Sequence, residues 1–92
     1  MPLARDKTIG YDTELMAFKF TMLNDGKVVP CQISGAALDE LAGKKGTESS
    51  ARQAQFLSLR NAIEKIASDL FAQAPPVDDH VVRIFAKHVR RK

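Results

Sequence analysis

Cysteine occurs once in the 92 residues, as Cys31, so no intramolecular disulfide can form and a disulfide scaffold is excluded. A reducing compartment is therefore expected, the cytoplasm by default. No apolar run approaches the roughly 18 residues of a membrane-spanning helix, because the longest periodic segment is interrupted by Arg60, Glu64, Lys65 and Asp69. Residues 1–10 place Arg5, Asp6 and Lys7 where a signal peptide needs a continuous apolar stretch, so neither secretion nor a membrane partner is expected. Tryptophan is absent and aromatic residues make up only 7%, which leaves little for the stacking platforms of single-strand binders. Internal repeats and low-complexity tracts are also lacking.

What is present suits a small globular chain. Hydrophobic residues make up 45% and charged residues 27%, far from the composition of disordered chains. One domain over 1–92 is expected, with an ordered core from about 11 to 86 and a basic tail at 87–92. The net charge of +3 is unevenly distributed. Residues 81–92 carry Arg83, Lys87, Arg90, Arg91 and Lys92 and no acid, which leaves the other 80 residues at −2. These five cations are the candidate polyanion-binding residues, although such a cluster is more often a solvated tail.

Apolar residues alternate from Met16 to Leu23, with Met16, Phe18, Phe20 and Met22 on one face and Lys19 and Thr21 on the other, as in a half-buried strand. Lys27 to Ile33 repeats the pattern with Val29, Cys31 and Ile33, and Asp25-Gly26 between the two is a strong hairpin signal. A two-residue turn pairs Met22 with Val29, Phe20 with Cys31 and Phe18 with Ile33, putting all six on one face; a three-residue loop would misalign them. Pro30 then falls opposite Thr21 with its missing donor directed away from the first strand, so the second strand should be an edge. A third, C-terminal strand belongs beside the first, in spatial order 2-1-3.

Ser34 can cap a short helix over Gly35–Ala42 with Leu38 and Leu41 inward and Gly43 as its left-handed end. Residues 43–50 read as a mobile loop without an apolar anchor. A long helix is predicted from Ala51 to Ala74, ~36 Å if unbroken, started by a Ser50/Gln53 capping box and stopped by Pro75-Pro76. Its stripe of Phe56, Leu59, Ile63, Ile66 and Leu70 should cover the hairpin, each buried side chain contributing about 1.5–3 kcal/mol. The last segment has two readings. Val81–Ala86 alternates as a strand, while Asp78-Asp79 before it and the cations after it also suit a helix dipole. The strand is the reading taken, followed by a frayed basic tail. The expected fold is α+β, a small two-layer sandwich in the order β-β-α-α-β.

The pair Tyr11-Asp12, the alternating strand ending at Phe20, the turn at Gly26, the run Val29-Pro30-Cys31-Gln32-Ile33-Ser34 with Ala37-Leu38, and the helix around Arg60–Ile63 appear in this order and spacing. In these features the chain resembles a family of short proteobacterial proteins known as domain of unknown function 1488. The resemblance runs from about Tyr11 to the final strand. It implies a small two-layer α+β fold and supplies no activity.

Candidate chemistry is sparse. Cys31 lies on the inward face of a strand, where thiols usually act as small hydrophobes. His80, His88, Asp78 and Asp79 match no common metal-ligand spacing. Gly43-Lys44-Lys45-Gly46 follows a helix instead of preceding one, so it reads as a linker, not a phosphate loop. Asp39 and Glu40 are adjacent and diverge by about 100° on a helix, so they cannot share a substrate. No catalytic, cofactor-binding or metal residue is therefore assigned, and an enzyme is not expected. The expected role is a protein-interaction or regulatory module, self-associating through a sheet edge or binding another protein. The alternative is nucleic-acid binding through the basic C-terminal segment.

Overall fold

The computed structural model describes residues 3–73 and 81–89. The elements are β1 (Ala4–Asp12), β2 (Ala17–Asn24), β3 (Lys27–Ser34), α1 (Gly35–Ala42), a 3-10 turn (Ser49–Ala51), α2 (Arg52–Ser58), α3 (Arg60–Gln73), β4 (Val82–Ile84) and α4 (Ala86–Val89). The four strands form one mixed sheet in the order β1-β2-β3-β4.

The hairpin has the register that its alternation dictates. Asn24 pairs with Lys27 across Asp25-Gly26, and Met22–Val29, Phe20–Cys31 and Phe18–Ile33 follow. Both turn residues have positive φ, 55° at Asp25 and 81° at Gly26, as a two-residue turn matched to strand twist requires. All six inward side chains are buried. Met16 does not join them: it sits before β2 in the left-handed region at φ 54° and is exposed. Its carbonyl accepts the Gly35 N–H at 2.9 Å, which fixes it in the β1–β2 turn and out of the strand.

Two strand placements need correction. Residues 4–12 form β1, antiparallel to β2, so the core extends to Leu3 and does not begin near residue 11. Since β1 already occupies the free side of β2, the 2-1-3 order fails and β4 pairs in parallel with β3, through Cys31–Val82, Gln32–Arg83 and Ile33–Ile84. Pro30 does stand opposite Thr21 with its imide nitrogen away from β2. It tolerates a neighbour on that side because the three-residue ladder to β4 begins only at Cys31.

Ser34 Oγ accepts the Ala37 N–H at 3.0 Å and Gly43 closes α1 at φ 72°, as the capping pattern of that helix requires. The long helix differs from its prediction. It is interrupted at Leu59 (φ −110°, ψ 9°), where the Leu59 N–H is shared between the Gln55 and Phe56 carbonyls while Ser58 Oγ donates to Gln55 O at 2.9 Å. A hydroxyl competing for an intrahelical carbonyl is a recognised cause of a bend. The Ser50/Gln53 box does not form, since neither the 3-10 turn nor α2 has a side-chain cap. Ala74 and the Pro75-Pro76 stop lie outside the described residues.

The helical stripe nonetheless meets the sheet as its spacing requires. Phe56 and Ile63 are fully buried in one cluster with Phe18, Phe20 and Ile33, and Leu59, Ile66 and Leu70 are partly buried against it. Phe56 stacks on Phe18 with centroids 4.4 Å apart and tilts against Phe20 at 5.0 Å. Among the described residues no helix covers the opposite face of the sheet, where Val28, Pro30 and Arg83 are exposed. At the C-terminal end the strand is shorter than Val81–Ala86, and residues 86–89 form a helical turn where a frayed tail was expected.

Candidate functional site

Polar side chains gather on the sheet face away from the helices and at the junction between α1 and α2. On the open face the register aligns Gly10, Lys19, Gln32 and Arg83 in one row across all four strands. Lys19 pairs with Asp12 at 3.4 Å, and Arg83 makes no salt bridge among the described residues. Toward the hairpin turn the same face becomes apolar, with Ala4, Leu23 and Val28 in one row, the last of these 61% exposed. Of the five candidate polyanion-binding residues, Arg83 is exposed on β4 and Lys87 is exposed on α4. Arg90, Arg91 and Lys92 lie outside the described residues. The structure thus divides Arg83 and Lys87 between strand and helix, and it adds Lys19, which linear charge counting missed because its partners in the row are distant in sequence.

The junction is built around Arg52. Its Nη1 donates to Asp39 Oδ1 and Gln55 Oε1, each at 2.7 Å, and to the Gly35 carbonyl at 3.3 Å. Thr47 Oγ1 also donates to Asp39 Oδ1 at 2.7 Å, and Gln55 Nε2 reaches both. The 43–50 segment therefore has a polar anchor at Thr47 in place of an apolar one. Burial alone would push the Asp39 carboxyl up, but the hydrogen bonds from Gln55, Thr47 and Arg52 outweigh it and hold the group well below the usual carboxylate range. Arg52 is 6% exposed; its Nε has no partner among the described residues, and its guanidinium stands over the Tyr11 ring with Cζ 5.3 Å from the centroid. Asp39 is thus committed to holding α1, the loop and α2 together.

The other candidates settle in the same way. Cys31 is 2% exposed and burial pushes its thiol up to about 12, so almost no thiolate exists at neutral pH. Lys44 N donates to Asp39 O and Gly43 N to Glu40 O, so these loop amides close α1 and are not offered to a phosphate. Among the described residues no three His, Cys, Asp or Glu side chains converge as metal ligands do. His80, Asp78 and Asp79 lie outside the described residues. Among the described residues no helix is long and apolar enough to cross a membrane.

With the geometry in place, comparison with known proteins is informative about kinship. The model of a family described as protein of unknown function (DUF1488) matches residues 5–87. The chain belongs to the DUF1488 family. The crystal structure of a protein of unknown function from this family, from Shewanella loihica PV-4, is 26% identical and superposes with a TM-score of 0.77 over 89% of this chain and 90% of that one. No curated protein matches. The family match begins at residue 5, inside β1, so it covers the strand that alternation did not reveal.

Proposed function

We propose that this DUF1488 protein is a non-enzymatic cytoplasmic interaction module whose open sheet face receives an acidic segment of a partner protein. The observation that carries this reading is that the row Lys19–Gln32–Arg83 and the partly exposed apolar row Ala4–Leu23–Val28 share one sheet face, separated by the Thr21–Pro30 row. A partner segment with an apolar anchor and a carboxylate one row further along the sheet matches both rows at once, and a mixture of apolar and charged surface is the usual make-up of a protein interface. Self-association through the sheet edge is the weaker form of the reading. The outer edge of β1 is interrupted by bulges between Arg5 and Thr8 and between Thr8 and Gly10, and bulges and charges on an edge oppose strand addition.

The test places a photo-crosslinking residue at Val28 on the open face or, as a control, at Leu57, which is 47% exposed on α2. Capture of one protein from native cytoplasm at Val28 alone, abolished by Lys19→Glu with Arg83→Glu, supports the reading. Equal capture at both positions, or capture indifferent to the charge reversal, overturns it.

The exposure of both Arg83 and Lys87 favours a second reading, binding of nucleic acid through the basic C-terminal residues. Five phosphate contacts would give a log–log salt slope of about −4.5 on duplex DNA, and removing residues 90–92 would reduce its magnitude by roughly 3. A flat salt response rejects this reading.

A further inference from the structure

The α4 turn is closed by a histidine. The Phe85 N–H donates to His88 Nδ1 at 2.9 Å, while the His88 N–H donates to the Phe85 carbonyl at 2.9 Å. This pairing places Phe85 at the N-cap position of Ala86–Val89 and His88 at N3, where glutamate or glutamine ordinarily reaches back to the N-cap amide. An imidazole can take that role only when neutral and only with its proton on Nε2. The Phe85 and His88 rings also stand 5.9 Å apart, so one side chain contributes both the cap and a packing contact.

A helix of one turn has no stability of its own, since nucleation costs more than so few hydrogen bonds return. What keeps α4 wound is the reciprocal cap, the partial burial of Val89 against the core, and contact with α1. We propose that His88 is a pH-sensitive latch for α4: protonation turns Nδ1 from acceptor to donor against the Phe85 N–H, opens the turn, and releases Lys87 from its fixed position relative to Arg83.

The surroundings of the ring favour its neutral form. Burial lowers the affinity of His88 for a proton, and the adjacent Lys87 lowers it further. Among the described residues Asp69 of α3 is the one carboxylate lining the same hollow, and it is turned to Lys65 at 3.6 Å. On α1, Asp39 is held by Arg52, and both Asp39 and Glu40 face Ala86 across a separate hollow. With the folded-state value below the unfolded one, the latch is fully closed above the ordinary histidine range and opens as pH falls through the lowered value.

The test follows the full chain by NMR from pH 8 to pH 5. The His88 ring should carry its proton on Nε2 at pH 8. The amides of Phe85, Lys87 and Val89 should move with one midpoint, identical to that of the ring and below the ordinary histidine value, while those of Phe20 and Ile63 stay in place. His88→Gln keeps an acceptor at N3 without titrating, so its Phe85 amide should not move over the same range. His88→Ala should show the open-turn amide positions even at pH 8. A ring proton on Nδ1, a Phe85 amide that stays still while the ring titrates, the same midpoint in His88→Gln, or concurrent movement of Phe20 and Ile63 would each overturn the proposal.

Discussion

The apolar layer beneath the sheet and the polar junction around Arg52 hold the molecule together by different physics. In the layer, Phe18, Phe20, Ile33, Phe56 and Ile63 interlock by shape and exclusion of water, and no single direction matters. In the junction, Arg52, Asp39, Gln55 and Thr47 are useful only in their observed geometry, because each buried polar atom must find its partner. The layer therefore determines that the helices cover the sheet, whereas the junction determines where α1 and α2 meet.

The contrast is sharpest in how each region should fail. Phe56→Ala removes the ring shared by Phe18 and Phe20 and should cost about 3–5 kcal/mol in urea unfolding, the largest single effect. Arg52→Met leaves the Asp39 carboxylate without its counter-charge and should cost about 3 kcal/mol, with the double variant Arg52→Met/Asp39→Leu recovering most of the loss. A purely apolar region would show no such recovery, so additive losses in that cycle would break the comparison.

Gly35→Ala probes how tightly the junction is built. Its Cβ would lie 2.8 Å from Arg52 Nη2 and 3.0 Å from Tyr11 Oη, and the guanidinium cannot retreat without leaving Asp39. A loss of about 1–3 kcal/mol is expected by thermal or urea unfolding. Acid should act on the same region with smaller effect. Because the Asp39 carboxyl is held below its ordinary value of 3.8, its contribution is complete above that value and is lost as pH falls through the lower folded one. Asp39→Asn should flatten that acid limb of the stability profile. Smallest of all, Cys31 should resist thiol reagents at neutral pH in the folded chain and react only on unfolding, since both burial and its raised pKa suppress the thiolate.

Legibility in the sequence followed the same division. The β2–β3 hairpin could be read to the residue because its side chains keep period two and Asp25-Gly26 sets the turn. The α1 caps were legible because Ser34 and Gly43 act within their own helix. β1 was not, because two bulges put Arg5, Thr8 and Tyr11 opposite Met22, Phe20 and Phe18, a spacing of three that alternation does not register. The break at Leu59 was hidden for a related reason: the apolar stripe continues through it unchanged. The junction was least legible, since Asp39, Thr47, Arg52 and Gln55 form no motif and a lone arginine gives no sign of its burial.

Local pattern was sufficient for the hairpin, the capped short helix and the apolar helical stripe, since each arises from interactions within a few turns or across one tight loop. Tertiary structure decided the place of β4, the partner of Arg52, and the alignment of Lys19 with Arg83. Those outcomes depend on which edge remains free and on which polar atoms are left to pair once the core has closed, and neither condition is carried by any one segment of the chain.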